Sequence, residues 1–181
     1  MDVLREITKD KAFYEISGGG ATFSGGECML QIDFLEDILR LCKENGIHTT
    51  VDTAGHVPYA FFERVLPYTD LFLYDIKCMD NEKHRKYTGV GNELLLDNLQ
   101  RLLRVGAAVW IRVPVISGIN DTVDDMMEIR RYFDRHGWPE KVELLPYHAM
   151  GEHKYGALAM NAPTFSVPSA ETMNTLKKVF A

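Results

Sequence analysis

Residues 47–75, IHTTVDTAGHVPYAFFERVLPYTDLFLYD, decide the fold class. They read as strand, helix, strand. Ile47–Val51 is a β-branched run, Pro58 to Val65 carries Phe61, Phe62 and Val65 at helical spacing, and Leu71–Tyr74 is a second apolar run ended by Asp75. The alternation continues in both directions. Upstream, Gly18-Gly19-Gly20 lead into a short strand at Ala21–Phe23, stopped by Ser24-Gly25-Gly26. Phe34, Leu35, Ile38, Leu41 and Cys42 then mark a helix closed by Asn45-Gly46. Downstream, a polar connection precedes a leucine-striped helix at Leu94–Leu103. A strand at Val109–Ile116, a helix through Met126–Phe133 and a strand at Lys141–Leu145 follow. Ser169 is placed to cap a last helix reaching Phe180, and 151–168 reads as an ordered loop over the strand ends.

Alternation of this kind implies parallel strands joined by right-handed helical crossovers, an α/β fold. A complete eight-unit barrel takes about 250 residues. Five strands in 181 residues therefore fit a partial (β/α) barrel or an open sheet, in one domain spanning 1–181. The chain opens inside a helix (Val3, Leu4, Ile7) with no strand before it. The expectation is that a first strand is missing.

Composition removes several classes. The 20 basic and 26 acidic residues leave a net charge of −6 with no basic run, which argues against nucleic acid or an anionic membrane as partner. The N-terminus lacks a signal-peptide core, and no apolar run is long enough to span a bilayer. Cys28, Cys42 and Cys78 are too widely spaced for a disulfide framework or compact zinc ligation, and reduced thiols in a cytoplasm are the simplest reading. No Gly-x-Ser-x-Gly or His-Glu-x-x-His occurs.

Chemistry in parallel α/β folds gathers at the carboxyl ends of strands. This chain places a polar group at each one: Gly25-Gly26-Glu27 after the first strand, Asp52-Thr53 after the second, Asp75 and Lys77 after the third, Arg112 within the fourth and His148 after the fifth. Each has a plainer reading. Glu27 also reads as a solvated first-turn acid, Asp52–Gly55 as a capping turn, Asp75 and Lys77 as a structural ion pair, and His148 as a hydrogen-bonded loop histidine. Arg112, between Ile111 and Val113, demands an anionic partner if it points inward. His84, His136 and His153 read as surface residues. Gly89-Val90-Gly91 follows no strand and is not a phosphate loop.

In order, GGGATFSGGE, TTVDTAG, LFLYDIK, HRKYTGVGNELLLDNLQRL, WIRVPVISGIND and VELLPYHAMGEHKY resemble the blocks of glycyl-radical-enzyme activating enzymes. These belong to the radical S-adenosylmethionine superfamily. The resemblance runs from about Asp10 to Tyr155 and implies a six-strand partial barrel, of which this chain supplies strands two to six. It assigns Gly25, Gly26 and Glu27 to the methionine amino group of S-adenosylmethionine. Asp52 and Thr53 fall near its ribose and carboxylate, His148 beside the cofactor, and Asp75, Lys77 and Arg112 at the reacting centre. Cys28 and Ser117 stand where the family often has proline, and Ala54 where it often has a polar residue. The family's Cys-x-x-x-Cys-x-x-Cys motif for a [4Fe–4S] cluster is absent from this sequence.

That cluster supplies the electron that splits S-adenosylmethionine into methionine and a 5′-deoxyadenosyl radical, which takes hydrogen from a glycine of a partner such as pyruvate formate-lyase. The expectations are therefore an N-terminally truncated activase, inactive alone, with no metal ligands of its own and a flavodoxin or ferredoxin as electron donor. An uncovered edge at the strand Ala21–Phe23 is expected to drive self-association. Two other classes stay open on the residues alone: a Schiff-base lyase or aldolase using Lys77, and a non-catalytic module binding S-adenosylmethionine or a partner protein.

Overall fold

The computed structural model describes residues 2–148 and 165–181. Its spine is a five-stranded sheet of β1 (Gly20–Phe23), β2 (His48–Thr53), β3 (Leu71–Asp75), β4 (Val109–Val115) and β5 (Lys141–Pro146). The strands lie in chain order, and every neighbouring pair is parallel. Between them run α3 (Ile32–Glu44), α4 (Tyr59–Val65), α5 (Asn81–Thr88), α6 (Glu93–Arg104) and α7 (Val123–His136). Two short helices, α1 (Asp2–Thr8) and α2 (Lys11–Ser17), come before β1, and α8 (Ala170–Lys177) follows the last strand. Sequential order is what a singly wound partial barrel requires.

Side-chain alternation separates the two faces. Along β4, Val109, Ile111, Val113 and Val115 are buried while Trp110, Arg112 and Pro114 are half-buried. The buried set packs with Phe72 and Tyr74 of β3 beneath the apolar stripes of the helices: Leu35, Ile38 and Leu39 of α3, Leu95, Leu99 and Leu102 of α6, and Met126, Ile129 and Phe133 of α7. The opposite face is the concave one. Parallel register aligns Asp52 with Leu73, Asp75 with Arg112, and Arg112 with Glu143, so charged residues of successive strands share that face.

The expected strands and long helices fall within a few residues of their observed bounds. Two helices differ from expectation. α2 buries no residue and α5 buries only His84, so neither writes an apolar stripe into the sequence. The polar connection after β3 is thus partly helical. His84 is 3% exposed, which corrects its assignment to the surface. His136 is half-buried against Tyr132, with ring centroids 4.6 Å apart. The 151–168 loop and His153 lie outside the described residues except for 165–168, where Ser166 bridges Ser117.

One turn is held with little tolerance. Gly55 has φ +73°, and a Cβ there would sit 1.8 Å from the Tyr74 hydroxyl oxygen, which itself donates to Leu95 O at 2.6 Å. Asn98 of α6 donates to Gly55 O and Val57 O, both at 2.8 Å. Gly55→Ala is expected to lower stability by roughly 2–4 kcal/mol, from backbone strain plus overpacking. A urea midpoint equal to that of the parent chain would refute this.

Candidate active site

The carboxyl ends of β1 and β2 are clipped together by one side chain. Glu27 follows the glycine pair and caps the short 3-10 turn Cys28–Gln31, accepting from Met29 N at 3.2 Å. Its other oxygen accepts from the Thr53 hydroxyl at 2.9 Å and from Ala54 N at 3.0 Å. Thr53 Oγ1 in turn accepts from Gly55 N at 2.9 Å. Glu27 is therefore not a freely solvated acid; it ties two strand-end loops together. Gly25 has φ +146°, a region that favours glycine. A Cβ added at Gly25 or Gly26 would meet nothing within 4 Å, so this backbone faces open space.

Arg112 links the next three strands. Its Nε donates to Asp75 Oδ1 at 2.9 Å, its Nη1 to Asp52 Oδ2 at 3.2 Å, and its Nη2 to Asp52 Oδ1. Nη2 also lies 2.8 Å from Asp75 Oδ1. Arg112 is 21% exposed and each carboxylate 19%, so all three are largely withdrawn from water. Burial pulls the guanidinium pKa down, but the Asp75 and Asp52 carboxylates outweigh it and the net shift is upward. Lys77 Nζ donates to Asp75 Oδ2 at 3.2 Å, and Ser24 Oγ donates to Asp52 Oδ2 at 3.0 Å. The result is a charge-balanced row of two cations and two anions across the strand tips.

The structure thus brings together Glu27, Asp52, Thr53, Asp75, Lys77 and Arg112. His148 follows β5 and is exposed, and no hydrogen bond or ion pair joins it to this group. Asn120 escaped the sequence reading. It is 3% exposed and donates to Lys77 O at 2.7 Å and Pro114 O at 2.8 Å, so it fixes the backbone that carries Lys77. It lies in the Gly-Ile-Asn-Asp turn that ends the WIRVPVISGIND block after β4, a block whose reading gives it no role.

The thiols are ordinary packing residues. Cys42 and Cys78 are buried. Cys28 donates to Asp52 O at 3.5 Å, and burial, then Glu27 and Asp52, push its pKa from 9.0 up to about 11. Among the described residues no group of three His, Cys, Asp or Glu is placed to hold a metal ion. These cysteines do not fit an iron–sulfur cluster.

A parallel partial barrel with acidic, basic and glycine groups at its strand ends is an α/β scaffold of the kind whose sites lie at the carboxyl ends of the strands. The family model described as the Radical SAM superfamily matches residues 2–132, and the chain belongs to that superfamily. Membership implies S-adenosylmethionine and a [4Fe–4S] cluster as the family's cofactors. Its relatives narrow the group to activating enzymes of glycyl-radical enzymes. The chain is 41% identical over 99% of its length to the trans-4-hydroxy-L-proline dehydratase activating enzyme of Clostridioides difficile, covering 61% of that protein. It is 39% identical over 98% of its length to the pyruvate formate-lyase-activating enzyme of Clostridium pasteurianum, covering 73% of it. A crystal structure of a domain of pyruvate-formate lyase-activating enzyme from Bacteroides vulgatus superposes with a TM-score of 0.76 at 31% identity, spanning 89% of this chain and 92% of that one.

A thiol whose pKa is about 11 instead of 9.0 holds roughly 100-fold less thiolate at pH 8. Cys28 is expected to react with iodoacetamide about 100-fold more slowly than an unperturbed thiol. The raised pKa also means that its contribution to stability is present below pH 9 and is lost as pH rises through about 11. Rapid labelling of Cys28 in the folded chain, read by peptide mass spectrometry, would contradict the assignment.

Proposed function

We propose that the 181 residues form one partial-barrel domain that binds S-adenosylmethionine and presents it to the glycine segment of a glycyl-radical enzyme. The carrying observation is that Glu27, Asp52, Thr53, Asp75, Lys77 and Arg112, from four strands, converge at one end of the sheet. Open backbone at Gly25 and Gly26 beside them fits the approach of a ligand. In this reading the glycine pair and Glu27 receive the methionine amino group, and Asp52 and Thr53 lie near the ribose and carboxylate. Asp75, Lys77 and Arg112 orient the reacting end, and His148 closes over the cofactor from β5. S-adenosylmethionine supplies the carbon–sulfur bond whose cleavage yields a 5′-deoxyadenosyl radical. The chain's own residues supply binding, orientation and charge balance; among the described residues no group of His, Cys, Asp and Glu is placed to hold a metal ion. A flavodoxin or ferredoxin is the proposed electron source, and the cytoplasm the proposed site of action.

Lys77 does not favour the aldolase alternative. Its side chain is 42% exposed and paired with Asp75, whereas a Schiff-base lysine is activated by desolvation or by a neighbouring cation.

Isothermal titration of the chain with S-adenosylmethionine is expected to give saturable binding. Asp75→Asn and Lys77→Met should each weaken it about tenfold, the scale of one charge-assisted hydrogen bond. With dithionite the chain alone should release no 5′-deoxyadenosine. Absence of saturable binding would overturn the reading.

We also propose self-association through β1. Among the described strands it pairs only with β2, and Phe13 and Ile16 just before it are 70% and 86% exposed. Light scattering behind a sizing column should give a mass above 20.6 kDa that rises with concentration; a monomer at high concentration would dismiss the idea.

A further inference from the structure

The block HRKYTGVGN folds around one buried histidine that the cofactor reading leaves unused. His84 lies on the inner side of α5 and is 3% exposed. Its Nδ1 is 2.7 Å from Val90 O. A carbonyl only accepts, so Nδ1 carries the proton, and in the neutral ring Nε2 is left as an acceptor. The loop that makes this possible turns at Gly89 (φ +84°) and passes Gly91, where a Cβ would lie 2.2 Å from Glu93 Oε2. Nε2 has no hydrogen-bond partner among the described residues, and it is not among the fully enclosed polar atoms left without one.

Two cavities meet at this ring, sharing Lys77, His84 and Thr88. One, of about 230 Å³, reaches Ala54 and Asp75 at the candidate cofactor site. The other, of about 190 Å³, is walled mainly by apolar groups, among them Cys78, Tyr87, Pro114, Ile116 and Ile119. Pockets for whole cofactors or drug-sized ligands run to roughly 300–1,000 Å³, so the second cavity has room for a side chain and not for a nucleoside. Lys77 and Lys83 also reach its lining, but each is already paired, with Asp75 and Asp125. A carboxylate entering here would lose its hydration and have to break one of those pairs, whereas an apolar side chain meets the apolar wall at no such cost.

We infer that this second cavity is a specificity subsite for the polypeptide substrate. It takes one apolar side chain, while the backbone N–H of that residue donates to His84 Nε2, and the preceding residue is thereby placed beside Asp75 and Lys77. This rests on the activase reading and adds to it the chemistry of the residue following the reacting one. His84 here is a substrate-positioning residue.

The test uses the chain labelled with ¹⁵N-histidine and three blocked dipeptides: N-acetyl-glycyl-leucine amide, its aspartate analogue, and its N-methyl-leucine analogue, which lacks the N–H. The leucine probe should bind with a Kd on the order of 1–10 mM and shift the His84 Nε2 resonance saturably. The aspartate and N-methyl probes should bind at least tenfold more weakly. Ile119→Phe, which fills the cavity, should abolish the leucine response; should that variant misfold, the three probes on the parent chain still decide. Equal affinities for the three probes, or no saturable shift at His84, overturn the subsite. S-adenosylmethionine is titrated into the same samples separately. Cofactor binding without probe discrimination removes the subsite and leaves the activase reading, whereas probe discrimination without cofactor binding does the reverse.

Discussion

A guanidinium on the concave face of the sheet constrains everything built at its carboxyl end. Arg112 sits inside β4, where alternation forces it away from the helices and into the half-open lumen. There it must find anions, because an unpaired charge withdrawn from water costs several kcal/mol. Asp75 is its register partner on β3, and Asp52 on β2 is reached across the Leu73 row. The two acids would repel each other without it. One cation therefore fixes the lateral spacing of three strand tips, and the Glu27 clip adds the fourth.

Charge balance in this row has a chemical consequence. Within the row two carboxylates meet one guanidinium and one ammonium, and Glu27 beside it adds a third carboxylate held by the neutral donors Met29 N, Thr53 Oγ1 and Ala54 N. A ligand that carries both signs, such as a sulfonium amino acid joined to a nucleoside, can exchange into such a network by taking over one ion pair at a time. Preorganised groups of this kind position and stabilise; the bond-breaking chemistry belongs to the cofactor.

Much of this was legible in the residues because burial on one face writes a period into a strand. Val109, Ile111, Val113 and Val115 announce both the strand and the side on which Arg112 must lie. The Asp75–Lys77 pairing follows from a two-residue spacing on extended backbone. The role of Glu27 was not legible, since its partners Thr53 and Ala54 are 26 and 27 residues away and only the β1–β2 register brings them near. α2 and α5 were missed for a different reason. They bury almost nothing, so no apolar stripe distinguishes them from a polar loop. His84 was misplaced with them: a single buried residue among charged neighbours leaves no periodicity to read.

The cysteines complete the separation between positioning and redox chemistry. Cys42 is spent on the α3 core and Cys78 is buried after β3. Cys28 is held protonated by burial and by the same acids that organise the site. Thiolates that bind iron need the opposite environment, with cations or metal lowering the pKa. An acidic rim is what a cationic sulfonium calls for, and it is also what suppresses thiolate formation at Cys28. On the proposed reading, cofactor recognition and cluster ligation make opposing electrostatic demands, and Cys28 sits where thiolate formation is suppressed.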